Sequence, residues 1–190
     1  MTKTRGFEIL STWQGEDIHL PERKTEKSAG YDIECGEDID LIPHQVTLIK
    51  TGLKAYMKDD EYLAIFIRSS MAIKKGLFLA NSTGIIDADY YNNEDNEGHL
   101  MVAVYNTKDE PFHVNKGDRV AQGIFTKYLT TDDAHADGVR TGAAGSAALN
   151  AAEIERIREE GRAEGRAEGR REVKEESRGF FDFGSEEPIK

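Results

Sequence analysis

The centre of this 190-residue chain reads Asn81-Ser82-Thr83-Gly84-Ile85-Ile86-Asp87-Ala88-Asp89-Tyr90. A polar turn containing Gly84 separates two apolar runs, residues 76–79 and 100–104, which predicts a β-hairpin whose arms join a sheet. The tip carries an amide, a glycine, a carboxylate and a tyrosine. An amide can pair with the edge of a planar base, a glycine lets a flat ligand approach the backbone, a carboxylate can orient a water, and a tyrosine ring can lie against a sugar. The alternative is a plain hairpin with ordinary polar tip residues.

Short apolar runs recur on both sides of this stretch. They are rich in β-branched and aromatic residues and are bounded by Gly, Pro or polar turns. No convincing long helix precedes residue 130, so the pattern predicts an all-β, jelly-roll-like β-sandwich over residues 1–130. The main strands are expected at residues 7–10, 46–53, 62–67, 100–106, 112–114 and 119–125.

Three further polar positions stand next to predicted strands. The run 62–67 is apolar on both parities and leads into Arg68-Ser69-Ser70. The cation and the two hydroxyls there can bind phosphate oxygens. The alternative is that Arg68 is an ordinary surface arginine. Asp32 is either a solvent-facing strand residue or a carboxylate near a metal, through water. Gln122 sits inside an apolar run, so its amide needs a partner, either a substrate phosphate or a neighbouring backbone carbonyl.

The net charge of −11 argues against extended nucleic acid as a partner, although cations focused in one cleft can still bind a small polyanion. The single cysteine, Cys35, excludes an intrachain disulfide and is typical of a reducing cytoplasm. No apolar run approaches the roughly 18 residues of a membrane span, and the N-terminus lacks a signal-peptide pattern. A cytoplasmic protein that does not enter the membrane is expected.

The composition changes near residue 131. Residues 131–177 form a small and polar linker followed by a charged Ala/Glu/Arg insert, in which Gly-Arg-Ala-Glu recurs with a period of four. This predicts a fraying solvated helix or a charged linker; the functional alternative is a docking helix for a protein partner. Residues 178–190 form a C-terminal arm with three phenylalanines in polar surroundings, which suggests a segment that closes over something.

Four sequence motifs, taken in order, resemble those of the homotrimeric dUTP diphosphatases (dUTPases), most closely those of Gram-positive bacteria and their phages. The motifs are residues 29–33, 68–70, 81–90 and 117–122, and the resemblance covers about residues 7–128. It implies a trimer whose active sites are shared between subunits, with dUTP as substrate and Mg²⁺ as cofactor. Water attacks the α-phosphorus of dUTP, and dUMP and pyrophosphate are formed.

The resemblance also implies roles for the central stretch. Asp87 resembles the carboxylate that orients the attacking water. Tyr90 resembles the ring beneath the deoxyribose that excludes a 2′-hydroxyl. Asn81, with the backbone of Gly84 and Ile86, resembles the segment that reads the uracil edge and crowds out a 5-methyl group.

Around the triphosphate, Arg68, Ser69, Ser70 and Gln122 resemble a phosphate clamp. Asp32 resembles the residue that holds a water on the magnesium, which in this family is bound mainly by the three phosphates and by waters.

The fifth family motif supplies an arginine for the γ-phosphate and a phenylalanine that stacks on uracil. Two segments compete for it. Residues 140–146 start with Arg140 at the expected distance but have Ala144 in place of the aromatic ring. The segment favoured here is 178–185, which keeps the residue types the motif needs although acidic residues interrupt and follow it. Its site residues would be Arg178, Phe183, Gly184 and Ser185.

Two rival functions are considered. The dCTP deaminases share the fold and resemble this chain around residues 68–70 and 84–87, but Ala103 stands where they carry a proton-relaying glutamate. The second rival is a β-rich trimer that works as an interaction module, with the charged insert or the tail docking a partner.

Overall fold

The computed structural model describes residues 3–135 of the chain. This part contains eleven β-strands and one short α-helix. In chain order they are β1 (Gly6–Ile9), β2 (Tyr31–Glu34), β3 (Ile39–Leu41), β4 (Val46–Lys50), β5 (Leu53–Tyr56), β6 (Glu61–Ile67), α1 (Ser69–Lys75), β7 (Leu77–Leu79), β8 (Gly84–Asp87), β9 (Met101–Asn106), β10 (Phe112–Val114) and β11 (Arg119–Lys127). No helix in these residues is long and apolar enough to cross a membrane.

All strand pairs are antiparallel, as the short connections between apolar runs require. One sheet has the order β2-β11-β6-β8 and a second has the order β4-β9-β7, while β1-β5 and β10-β3 form two-stranded ribbons. The predicted all-β, jelly-roll-like sandwich is confirmed.

The core lies between the two larger sheets. In β9, Val102 and Val104 are buried and alternate with half-exposed neighbours, which is the pattern of a strand covered on one face. In β6, the consecutive residues Leu63, Ala64 and Ile65 are all buried, as in a strand covered on both faces, which agrees with a run that is apolar on both parities. Asn106 is fully buried, and its amide donates to the carbonyls of Leu41 and Glu110.

The predicted hairpin is only half right. Its arms do pair, since β7 lies against β9 with Leu79 opposite Val104. The segment between them is not a turn, because residues 84–87 form β8, which crosses to the other sheet and pairs with β6. Burial explains the crossing: Ile86 is 8% exposed while Ile85 is 52% exposed, so this short run buries one isoleucine as a strand does.

Two local features differ from expectation. The run 46–53 is not one strand, because Gly52 takes φ +72° and turns the chain between β4 and β5. Helix α1 was not expected; it follows β6 directly and ends at Gly76, whose φ of +68° is the left-handed conformation of a helix C-cap.

Candidate active site

Neighbouring strands bring the first group of predicted site residues together. Gln122 in β11 lies opposite Asp32 of β2 on one side and opposite Phe66 of β6 on the other. Arg68 follows β6, and its backbone N–H donates to the carbonyl of Val120 at 3.3 Å. The C-terminal end of β6 therefore gathers Arg68, Asp32 and Gln122 at one end of the four-stranded sheet.

Two arginines share the carboxylate of Asp32. Its Oδ1 lies 3.2 Å from Nε of Arg68, and its Oδ2 lies 3.0 Å from Nη1 of Arg119. The side chain of Asp32 is only 16% exposed, so these charge-assisted contacts hold both guanidinium groups in a partly desolvated position. The cluster carries one net positive charge, as a phosphate site needs.

Sequence reasoning assigned no role to Arg119. Strict alternation would put Arg119 and Gln122 on opposite faces of β11, away from each other. The register shifts between Arg119 and Ala121, however, and this bulge pairs Arg119 with Glu34, on the same face as Asp32. A bulge depends on the partner strand, and the sequence of β11 carried no signal that could have located it.

The remaining members of the predicted phosphate group lie close by. Ser69 and Ser70 open α1 and are both exposed, directly after Arg68. Gly30 leaves room for the side chain of Gln122, because a Cβ at Gly30 would lie 2.6 Å from Oε1 of Gln122. The presence of glycine at position 30 of the 29–33 motif is therefore explained by packing, since a side chain there would collide with Gln122.

The second group of predicted residues follows β8. Gly84 lies opposite Ile65 and Asp87 lies opposite Tyr62. The exposed Asn81 is near Gly84, since its Nδ2 would be 3.9 Å from a Cβ at that glycine. Within its sheet β8 is an edge strand, so alternate backbone N–H and C=O groups have no ladder partner there and can bind the edge of a base.

Tyr90, which the resemblance assigns to the deoxyribose, is buried. Its side chain belongs to the core and is 3% exposed. The hydroxyl donates to the carbonyl of His99 (3.1 Å) and accepts from Nδ2 of Asn96 (2.9 Å). Core packing and these two hydrogen bonds hold the ring in place.

Within one chain, the predicted phosphate residues around Arg68 lie apart from the predicted base and sugar residues that follow β8. Asp87 lies beside Tyr62, and Arg68 lies six positions further along β6, which is about 20 Å in an extended strand. That distance exceeds the reach between the α- and γ-phosphorus of one triphosphate. Within one chain, the backbone positions of Asp87 and Arg68 are therefore further apart than the two ends of a triphosphate.

A cleft of about 460 Å³ opens beside Asp32 and Glu34 and is walled by side chains of the segment 18–24. In this cleft a hydrogen bond from His19 to Glu34 raises the pKa of the histidine. The carboxylates of Glu22, Asp32 and Glu34 outnumber the cations, so the cleft is a poor receptor for a polyanion.

Several expected residues fall outside the described part of the chain. Arg140 and the favoured arm residues Arg178, Phe183, Gly184 and Ser185 lie beyond residue 135. Ala103, where a deaminase would carry its glutamate, lies in β9, and its carbonyl accepts a hydrogen bond from the N–H of Ala80 at 2.9 Å.

Comparison with known proteins gives one result. A family model described as dUTPase matches residues 16–148. A deoxyuridine 5′-triphosphate nucleotidohydrolase of Lactococcus lactis is 50% identical over 130 residues, which are 68% of this chain and 87% of the relative. The crystal structure of the dUTPase from Streptococcus mutans is 43% identical, with a TM-score of 0.64, and the match covers 67% of this chain and 98% of that one.

A mutant dUTPase from phage phi11 of S. aureus, solved to show the coordination of a structural Mg(II) ion, is 24% identical with a TM-score of 0.58. That match covers 72% of this chain and 98% of the phage chain, and it shows a shared fold. The family match extends from the cleft segment through both groups of site residues. This chain belongs to the dUTPase family.

Proposed function

We propose that this protein hydrolyses dUTP to dUMP and pyrophosphate, which limits uracil incorporation into DNA and supplies dUMP. Membership of the dUTPase family supports the activity. The observation that carries the proposal is the position of Asp87, a half-buried carboxylate at the end of β8 whose backbone is fixed by the ladder to β6.

In the proposed reaction Asp87 accepts a hydrogen bond from a water and aims its oxygen at the α-phosphorus. The new bond forms between that oxygen and the α-phosphorus, and the bond to the oxygen that bridges to the β-phosphate breaks. Pyrophosphate leaves with the bridging oxygen, and the proton of the water passes to the carboxylate. This displacement depends on positioning and charge neutralisation more than on covalent help.

The phosphates are assigned to Arg68, Ser69, Ser70 and Gln122. Asp32 fixes the guanidinium of Arg68 through Nε at 3.2 Å, which directs its two Nη groups towards phosphate oxygens. The two serine hydroxyls are exposed beside it and can donate to the same phosphate chain.

The base and sugar are assigned to β8 and the residues around it. Asn81 and the backbone of Gly84 and Ile86 read the uracil edge; the side chain of Ile86 is buried, so only its backbone is available. The ring of Tyr90, held in place by its packing and hydrogen bonds, is assigned to exclude the 2′-hydroxyl of a ribonucleotide.

Magnesium fits this arrangement through water. Among residues 3–135, no cluster of histidine, cysteine or carboxylate side chains could hold a metal ion, so the phosphates and waters would be its ligands. A carboxylate has about four acceptor positions, and the two arginines take two of those of Asp32. Asp32 can therefore also accept from a metal-bound water. Bound magnesium neutralises the triphosphate, as an acidic protein requires.

We place the active site between subunits of a homotrimer. The separation of about 20 Å between Asp87 and Arg68 along β6 supports a shared site, because two chains are needed to supply both residues to one nucleotide. The outer face of the β4-β9-β7 sheet supports assembly. There Val46 (50% exposed), Tyr105 and Phe78 (48% exposed) form one apolar row across three strands.

The C-terminal segment 178–185 is proposed to close over the bound nucleotide, with Phe183 on the base and Arg178 on the γ-phosphate. Its support is the residue types that stacking and phosphate binding need. A protein partner docked by residues 131–177 and a cytoplasmic location remain predictions from the sequence. Deamination of dCTP is not favoured, because the methyl group of Ala103 cannot relay protons.

Steady-state hydrolysis of dUTP with Mg²⁺ tests the proposal. Asp87→Asn should lower kcat by about 10²–10⁴, the usual contribution of a positioned base. Asp89→Asn is the matched control, because it removes a carboxylate two residues away that is exposed, and it should keep most of the activity. Phe183→Ala should also lose activity if the arm closes. Full activity of Asp87→Asn would refute the mechanism.

A further inference from the structure

The segment that follows Tyr90, residues 91–98, folds back on that tyrosine. We call it the 91–98 loop. Nδ2 of Asn96 donates to the Tyr90 hydroxyl at 2.9 Å, and the hydroxyl donates onward to the carbonyl of His99 at 3.1 Å. The phenolic oxygen is thus held as both acceptor and donor, which fixes the end of the ring on both sides.

The amide of Asn96 is itself oriented. Its Oδ1 accepts from the backbone N–H of Gly98 (3.0 Å) and from Nδ2 of Asn93 (2.9 Å), so its Nδ2 must face Tyr90. Asn93, which is 7% exposed, also donates to the carbonyl of Tyr90 at 2.9 Å. The two asparagines therefore hold both the ring and the backbone of Tyr90.

The loop is anchored to the sheet at its two ends. Nζ of Lys54 in β5 lies 2.6 Å from Oδ1 of Asn92 and 3.1 Å from Oε2 of Glu97. The hydroxyl of Tyr91 donates to Oε2 of Glu8 in β1 at 2.6 Å. The Lys54 side chain is 11% exposed and that of Glu97 is 33% exposed, so the ion pair that links the loop to β5 is partly shielded from water.

Discrimination between deoxyribose and ribose depends on whether the Tyr90 ring stays in place. A pocket that merely fits a substrate rejects an analogue with one added hydroxyl by only about 10²-fold. A ring that is 3% exposed touches the sugar over a small area, and it rejects the extra oxygen only if it does not move aside.

We propose that Asn96 is a specificity-determining positioning residue, which holds the Tyr90 ring in place and so sets the preference for dUTP over UTP. This inference depends on the proposed function, because it assigns Tyr90 to the sugar. Asn96 itself does not touch the nucleotide in this account; it acts through the tyrosine hydroxyl.

The test compares kcat/KM for dUTP and for UTP. Asn96→Ala should lower the dUTP-to-UTP ratio by about tenfold, the effect of losing one buried hydrogen bond, mainly by improving the use of UTP. Asn92→Gly is the matched control, because it removes an amide of the same loop that binds Lys54 and not Tyr90, and glycine adopts the φ of +56° at this position without strain. It should keep the ratio. A ratio that stays within twofold in Asn96→Ala, or falls equally in both variants, would overturn the assignment.

A double-mutant cycle isolates the contact. Tyr90→Phe removes the hydroxyl, so adding Asn96→Ala to it should not lower the ratio further. If the two substitutions lower the dUTP-to-UTP ratio additively, Asn96 acts on the ratio by a route other than the Tyr90 hydroxyl.

A second readout does not need catalysis. In ¹³C-tyrosine NMR spectra of the nucleotide-free protein, the Tyr90 signal is the one missing from Tyr90→Phe. It should shift or broaden in Asn96→Ala and stay in place in Asn92→Gly. If the protein does not hydrolyse dUTP, the proposed function fails, and an unmoved Tyr90 signal in Asn96→Ala would separately overturn the positioning role.

Discussion

His99, at the residue scale, is kept uncharged by its surroundings. It is 9% exposed, its Nε2 accepts a hydrogen bond from the N–H of Gly52 at 3.0 Å, and its ring packs T-shaped against Trp13. Burial, with repulsion from Lys50, lowers the pKa of His99 to about 4. The folded protein therefore keeps this imidazole neutral at pH values where an unfolded chain protonates it.

The free energy of unfolding should fall as the pH is lowered from about 6.5 to 4. In this window the unfolded state binds more protons at position 99 than the folded state does, so stability rises with pH and the contribution is complete above the unfolded pKa. It amounts to about 3 kcal/mol. Urea unfolding at about pH 7, 5.5 and 4.5 measures it.

The control variants separate His99 from other titrating groups. His99→Gln should flatten the pH dependence, because it removes the titration and keeps an acceptor. In contrast, a hydrogen bond to Asp40 raises the pKa of His113, so its stabilisation is present at low pH and is lost as the pH rises. His113→Gln should therefore leave the slope as steep or steeper. An unchanged slope in His99→Gln would contradict the account.

Single residues were predictable where their neighbours in sequence decide their setting. Gln122 and Asp32 alternate with apolar residues, and the structure places them opposite each other. Arg119 was missed because a bulge turns it onto Asp32. The burial of Tyr90 was missed because its hydrogen bonds come from Asn96 and His99, and that loop closure has no sequence pattern.

At the scale of elements, two glycines in turns have nearly the same backbone and different surroundings. Gly98 has φ +82° and Gly117 has φ +83°. A Cβ at Gly98 would lie 2.5 Å from the carbonyl oxygen of Tyr90, whereas one at Gly117 would meet nothing within 4 Å.

Alanine substitutions at Gly98 and Gly117 should therefore differ in their effect on the free energy of unfolding. Gly117→Ala should cost about 1 kcal/mol of unfolding free energy, the left-handed penalty alone. Gly98→Ala should cost more than about 2 kcal/mol, because the 91–98 loop must also shift away from Tyr90. Thermal or urea unfolding of both variants gives the difference. Equal losses would show that the loop does not pack on Tyr90 as described.

The crossing of β8 marks the limit of prediction for elements. Apolar runs with clear turns at both ends located β7 and β9 and their pairing. The four residues of β8 are too few for a periodic signal, and their partner β6 is distant in sequence, so a turn was equally consistent with them. Only tertiary burial of Ile86 decides between the two.

At the scale of the whole molecule, charge and fold class were readable from composition and spacing, and the assembly of the site was not. The sequence places Arg68 and Asp87 in separate motifs but gives no distance between them. That distance follows from the register of β6 with β8, which puts the two residues about 20 Å apart in one chain. This separation supports the proposed site shared between subunits, and so does the resemblance to trimeric enzymes.

Complementation between two inactive variants tests this shared site most directly. Asp87→Asn and Arg68→Ala, each inactive alone, are co-expressed with different tags, and oligomers that carry both tags are purified and assayed for dUTP hydrolysis. If each site takes Asp87 from one chain and Arg68 from another, every trimer that carries both tags has one intact site of three, which restores about a third of the wild-type rate. Activity no higher than that of the separate variants would place both residues in a site within one chain and would contradict the account.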